Sequence, residues 1–320
     1  MTIRHRALLV VLGLGAITAS HAIELVINRV IRPDAEEITW LSEVSLAAGF
    51  LIITWLWLRL RETRSALSDL ERQRVVDEAQ LTVAARVQMS LLPSVPQPTA
   101  GVSWFAAVEP ANKVGGDYYD FLPLAGGKMC VVIADVSGKG VPAAVFLANL
   151  RGVLHALVRE VPRTSPQLLV SSLSAALLAD SGSGHYATCI VAIVDPATRS
   201  MVYVNAGHPS GVLWNRRAVR ELRVGGPPIG LWAGAQFDEE ELLFSEGDLV
   251  AFVSDGVTEA LGAGGDDVVA AVAAQISGAE PATPEAVCAH LLSAARHAPG
   301  PHGVAGWMDD RTAVVFGVPP

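Results

Sequence analysis

The chain opens on two long apolar runs. Ala7 to Ile27 is the first, 21 residues with one acid at Glu24; Ile38 to Leu58 is the second, also 21 residues, with one acid at Glu43. Each reaches the roughly 20 residues that a helix needs to cross a bilayer. Residues 59–92 are charged and free of Gly and Pro, which predicts a helix ending at Pro93. A heptad places Leu60, Leu67, Arg74, Leu81 and Gln88 at position a, and Thr63, Leu70, Asp77, Ala84 and Leu91 at position d. The leucines suit a coiled-coil seam, whereas Arg74 and Asp77 break it, so a short coiled coil and a solvated linker both stay open. At 1.5 Å per residue this helix would span about 50 Å.

Past Pro93, Pro96 and Pro98 the apolar pattern shortens. Strands are expected over 102–109, 117–124, 129–134, 186–194, 200–205, 211–215, 219–224, 248–253 and 312–317. Helices are expected over 141–158, 166–179, 266–276 and 284–297. Paired helices beside runs of strands predict the α+β class rather than alternating βαβ units. The chain then reads as a two-helix hairpin over 1–58, a helical linker over 59–92 and one domain over 93–320.

Composition sharpens this picture. Of 320 residues, 51% are apolar and 17% charged, which excludes disorder as the main state. The net charge is −9, and all of it falls after residue 92, where thirteen basic residues face twenty-two acidic ones. That balance argues against nucleic acid as a partner. Cys130, Cys189 and Cys288 are far apart, with neither a disulfide nor a zinc spacing, which suits a reducing compartment.

The first apolar run, with Arg4 and Arg6 before it and small residues at Ser20–Ala22, also fits a signal peptide. A second run so soon afterwards favours a hairpin. Arg4, Arg6, Arg59, Arg61 and Arg64 flank its ends, whereas the connecting loop holds Arg29 and Arg32 among Asp34, Glu36 and Glu37. The positive-inside bias then places both termini in the cytoplasm.

Four aspartate segments stand out. Asp117 lies in Val-Gly-Gly-Asp-Tyr-Tyr-Asp, and Asp135 follows an apolar strand and opens Asp-Val-Ser-Gly-Lys-Gly. Asp255 opens Asp-Gly-Val-Thr-Glu-Ala after another such strand, and Asp309 and Asp310 precede Arg-Thr-Ala-Val-Val-Phe. Carboxylates gathered at the ends of buried strands repel unless a cation neutralises them, and hard divalent ions take oxygen ligands. Each segment alone also fits an ordinary turn. His208 fits a turn between strands, and His155 and His185 fit packing or surface positions. There is neither a P-loop nor a Gly-x-Ser-x-Gly elbow.

Taken in order, Gln88–Pro93, Val114–Phe121, Ala134–Gly140, Asn205–Pro209, Ser254–Ala260 and Asp309–Thr312 resemble the metal-dependent PPM (protein phosphatase 2C-like) Ser/Thr phosphatases of the bacterial SpoIIE/RsbU branch. The resemblance implies an α-β-β-α layered sandwich with two Mn²⁺ or Mg²⁺ ions at one end. Asp135 would bridge the metals and the Val136 carbonyl would add a ligand. Asp255 and Asp309 would complete one metal, and Asp117 would serve the other. Asp310 matches a position near the site, and Lys113, Lys139 or Arg311 could meet phosphate. Lys139 stands where histidine is frequent in the branch, and Ser254 where threonine is usual. A metal-activated water would hydrolyse phosphoserine or phosphothreonine. The implied substrate is a phosphorylated STAS-type anti-anti-sigma factor in a partner-switching pathway. With the hairpin at 7–27 and 38–58, the protein would sit in the bacterial inner membrane, its catalytic domain in the cytoplasm, with 59–92 able to form a homodimer. A module activated by a partner, or an inert scaffold, is the alternative.

Overall fold

The computed structural model describes residues 13, 15, 19–24, 26–27, 36–111, 115–160, 165–180, 184–262, 267–298 and 309–318. The molecule divides into two compact units, residues 1–77 and 78–320.

Helix α1, Glu36–Leu91, carries the second apolar run and the charged stretch as one unbroken helix. It stops just before Pro93, because proline disfavours helical geometry in the residue ahead of it. Most of 7–27 lies outside the described residues. Gly13 is described and touches the second run: a Cβ there would stand 2.3 Å from the Phe50 ring. Leu51, Ile52, Ile53, Trp55 and Leu56 are exposed along α1. Among the described residues, the helix apolar and long enough to span a membrane by composition is α2, Val141–Glu160. It is a core helix, burying Phe146, Leu147, Leu150 and Leu154, and not one of the two expected spans.

The second unit is a sandwich of two sheets. One sheet has the order β1-β11-β10-β6-β7: β1 is Ser103–Glu109, β6 Gly211–Trp214, β7 Val219–Leu222, β10 Leu249–Val253 and β11 Arg311–Gly317. The other runs β2-β3-β4-β5-β8: β2 is Asp117–Pro123, β3 Met129–Val136, β4 Ala187–Asp195, β5 Ser200–Ala206 and β8 Gly225–Gly226; β9, Glu240–Leu243, pairs with β5.

Period-two alternation builds three apolar layers. Val131 and Ile133 of β3 face Phe252 of β10 and Phe316 of β11 between the sheets. The intervening Cys130, Val132 and Ala134 pack outward on α2 and on α3, Pro166–Asp180. On the opposite side Ala251, Val253 and Val315 pack on α5, Asp267–Gly278, and α6, Pro284–His297. The order is therefore α-β-β-α, as expected. All three cysteines are free and buried.

Three elements lacked a sequence signal, among them the two-residue strand β8, Gly-Gly. β9 reads Glu-Glu-Leu-Leu, with no alternation. The short helix α4, Asp255–Ala260, contains a glycine and follows directly on β10.

Candidate metal centre

The site forms where four strand ends meet. Asp117 begins β2 and Asp135 lies one residue from the end of β3; the antiparallel register sets them opposite each other. In the other sheet β10 and β11 are neighbours. Asp255 opens α4 directly after β10, and Asp309 and Asp310 directly precede β11. The Ser254 N–H donates to the Thr312 carbonyl at 3.0 Å, extending the β10–β11 ladder to these aspartates.

Hydrogen bonds tie the two sheets together here. The Thr312 hydroxyl donates to Asp117 Oδ2 at 2.5 Å. Thr312 N–H donates to Ser254 Oγ at 2.9 Å, and that hydroxyl donates to the Asp310 carbonyl at 3.2 Å. The Asp310 carboxylate accepts from the amides of Ala111 at 2.8 Å and Gly116 at 2.9 Å. It thereby clamps the loop ahead of β2 and spends both oxygens on backbone donors.

Gly115 and Gly116 permit this close approach. A Cβ on Gly115 would collide with the Asp310 carboxylate. One on Gly116 would lie 2.5 Å from Asp135 Oδ1 and 2.8 Å from the Val136 carbonyl oxygen. Those two oxygens therefore border the same small space.

The electrostatics follow from burial and crowding. Asp117, 4% exposed, is held well above the usual carboxylate range by burial, and further by Asp135 and Asp310, against hydrogen bonds from Thr312 and Ser254. Asp135 is pushed up to about 7 by burial, then by the charges of Asp255, Asp309 and Asp310, with Lys139 opposing. Asp255 is raised by burial and by Asp309, while the Gly256 amide and Lys139 work against the rise. Each carboxylate thus feels the others, and Lys139 Nζ lies 3.3 Å from Asp309 Oδ2.

Asp117, Asp135, Val136, Asp255, Asp309 and Asp310 are therefore brought to one end of the sandwich. Lys113 lies outside the described residues. Arg311 does not turn to this centre: it pairs with Glu109 at 3.3 Å across β1 and β11.

The donor set suits a hard divalent cation: carboxylate and carbonyl oxygens, with an excess of negative charge. Among the described residues, no three His, Cys, Asp or Glu side chains draw together into a tight coordination group. The two observations agree physically. Unneutralised carboxylates repel, and here they take other partners: Asp117 takes Thr312, Asp309 takes Lys139, and Asp310 takes two amides.

Sequence reasoning quoted Ser254 and Thr312 within motifs but gave neither a role. Their alternation with Asp255 and with Asp310 at neighbouring strand ends was the available signal. His208 is buried, with its Nδ1 2.9 Å from the Thr188 hydroxyl and its N–H donating to Asn205 Oδ1 at 2.8 Å. Burial pushes its pKa down to about 3, so it stays neutral as a turn residue. His155 pairs with Asp120 at 2.7 Å, a packing role, and His185 Nδ1 meets the Ser137 carbonyl at 2.8 Å.

Comparison with known proteins fixes the class. The SiaA PP2C domain of Pseudomonas aeruginosa superposes with a TM-score of 0.62 at 20% identity, covering 76% of this chain and 96% of that one. The PP2C phosphatase domain of the cell fate determinant SpoIIE from Bacillus subtilis gives 0.59 at 19% identity, covering 68% and 62%. The fold is that of the PP2C-type phosphatase domains. The chain belongs to the Stage II sporulation protein E (SpoIIE) family, whose profile matches residues 125–319.

Among its relatives, the phosphoserine phosphatase RsbU of Bacillus subtilis is 27% identical over 187 residues, 57% of this chain and 54% of RsbU. Protein IcfG of Synechocystis is 26% identical over 211 residues, 58% of this chain and 33% of IcfG. The chain thus matches between a third and about half of the length of these relatives.

Proposed function

We propose that the protein is a membrane-anchored, Mn²⁺- or Mg²⁺-dependent serine/threonine phosphoprotein phosphatase. The reading rests on one observation: Asp117, Asp135, Asp255 and Asp309 come from four separate chain segments to one end of a PP2C-type sandwich. These four, with the Val136 carbonyl, would hold two divalent cations. The bound ions supply a water of lowered pKa as nucleophile and positive charge for the phosphoryl oxygens. Thr312 orients the Asp117 carboxylate, and Ser254 links Thr312 to Asp310. Asp310 fixes the loop that carries Gly115 and Gly116. Buried neutral His208 holds a strand turn and takes no proton.

The relatives RsbU and RsbP, both named phosphoserine phosphatases, support a phosphoserine protein as substrate. A phosphorylated STAS-domain anti-anti-sigma factor fits that class. The exposed apolar face of α1, with Arg59 and Arg61 set over Trp55 and Trp57 at 5.7 and 5.4 Å, supports a membrane helix ending at its interface. Residues 1–58 would then form the hairpin, 59–92 the linker and a seam for a homodimer, and 93–320 the catalytic domain on the cytoplasmic side of the inner membrane. The spread of the carboxylates favours a second reading, a site that closes only when a partner or a second copy engages.

The test is phosphate release by the full-length protein in detergent from a phosphoserine peptide. Mn²⁺ should switch activity on and EDTA should abolish it. Asp135→Asn and Asp255→Asn should each lower kcat by about 10²–10³-fold, the scale of losing one electrostatic element. Activity indifferent to EDTA and to both substitutions would overturn the reading. Metal binding without turnover would favour the partner-activated form.

A further inference from the structure

Lys139 sits in the loop between β3 and α2, flanked by Gly138 and Gly140 at φ +92° and +80°. Those backbone conformations favour glycine and let the chain turn sharply on either side of the lysine. The loop is firmly held. Ser137 N–H donates to the Tyr186 carbonyl at 2.9 Å, and Tyr186 N–H donates to Ser137 Oγ at 2.9 Å. The His185 ring meets the Ser137 carbonyl and lies against Gly138, where a Cβ would stand 3.2 Å from Cε1. With its backbone fixed, Lys139 reaches across to Asp309 Oδ2 at 3.3 Å. One ammonium thus sits on a carboxylate assigned to the metals.

The pair is a poor structural bond. Both side chains are substantially exposed, 57% for Lys139 and 42% for Asp309, and exposed ion pairs contribute little to folding. An ammonium beside a carboxylate that belongs to a metal site has a different consequence. It neutralises that oxygen before a metal arrives, and it must yield the oxygen when the metal binds.

We propose that Lys139 is a tethered counter-ion of the metal centre: it occupies Asp309 in place of a divalent cation and is displaced when that cation binds. The inference rests on the proposed metal-dependent function. Its consequence is an affinity threshold. Binding a divalent ion at Asp309 includes breaking the Lys139 pair, so the lysine weakens metal binding while lowering the repulsion among the carboxylates in the metal-free protein.

The test is Mn²⁺ binding by the full-length protein in detergent, read from the electron paramagnetic resonance signal of free Mn²⁺. Lys139→Met removes the charge at similar length, and Lys139→Arg retains it. Lys139→Met should bind Mn²⁺ about two- to fivefold more tightly, the range an exposed ion pair spans, and Lys139→Arg should match wild type. Thermal unfolding in EDTA gives an independent readout: Lys139→Met should melt at a lower temperature and regain stability with Mn²⁺. Unchanged or weaker Mn²⁺ binding in Lys139→Met overturns the inference while leaving the metal site intact. Wild-type protein whose Mn²⁺ binding is absent, or is unaltered by Asp135→Asn, overturns both the inference and the function beneath it.

Discussion

Asp135 is strained by its own charge when no cation neutralises it. Its folded pKa of about 7 lies above the ordinary aspartate value. Between the two values the folded chain therefore binds more protons than the unfolded chain. Stability must fall as pH rises through that window, and the full penalty is present above about pH 7. Asp117 and Asp255 are shifted in the same direction and add to the slope. Asp135→Asn removes one of these charges and keeps the shape. In EDTA the variant should melt above wild type, with a gap that widens from about pH 5 to about pH 8. Calorimetry across that range checks it; a gap that is constant or reversed refutes the charge account. At this scale the sequence was informative about identity but not about role. The aspartates stood out because each follows or precedes an apolar run. That Thr312 holds Asp117 while Asp310 clamps backbone amides depends on how β2 of one sheet faces β11 of the other, and no local pattern encodes that.

The joint between β2 and α2 shows what an element contributes beyond its apolar face. Asp120 is 2% exposed. It accepts from the Tyr118 hydroxyl, from the Phe121 amide at 2.8 Å and from His155 Nε2 at 2.7 Å, with Arg151 at 3.9 Å. His155 and Arg151 belong to α2, so a buried carboxylate pins that helix to the sheet. Asp120→Ala leaves a tyrosine hydroxyl and a cationic edge without their acceptor. It should destabilise the fold by up to about 3 kcal/mol, the low end of breaking a buried charged pair because Arg151 and His155 are partly exposed. Tyr118→Phe, which leaves the pair intact, should cost only about 1 kcal/mol. Urea unfolding of the two variants measures the difference, and equal effects would remove the pin. The element list itself was largely legible, because alternation in β3, β10 and β11 and helical spacing in α2 and α6 are strong signals. β9 and α4 were missed for a physical reason. Pairing to β5 makes the first a strand, and the chain's turn after β10 makes the second a helix; at four and six residues both are too short to show a periodicity.

Over the whole molecule, the two units pose opposite problems. Among the described residues of 78–320 most large apolar side chains lie in three buried layers, with exceptions such as Val145, Trp232 and Leu243 at the surface. Among the described residues of α1 they are not covered: Leu51, Ile52, Ile53 and Trp55 are between 57% and 67% exposed. A helix that is apolar on all sides and exposed in water is unfavourable, because each such side chain forgoes about 1.5–3 kcal/mol of burial. Lipid would remove that penalty without any protein contact, and the close approach of Gly13 to Phe50 would suit the proposed pair of membrane helices. The full-length protein should therefore sediment with membranes and resist extraction by alkaline carbonate. If the proposed topology holds, with the arginines flanking the runs on the cytoplasmic side, the sandwich should be shielded from protease added outside intact spheroplasts. Leu51→Arg with Ile53→Arg places two charges at about 2.5–3.5 kcal/mol each in the middle of the span. That double variant should move to the carbonate-soluble fraction, while phosphate release from a peptide, which depends on the other unit, persists. Wild-type protein recovered in the soluble fraction would instead mean that another protein surface covers α1, and the anchor would have to be given up.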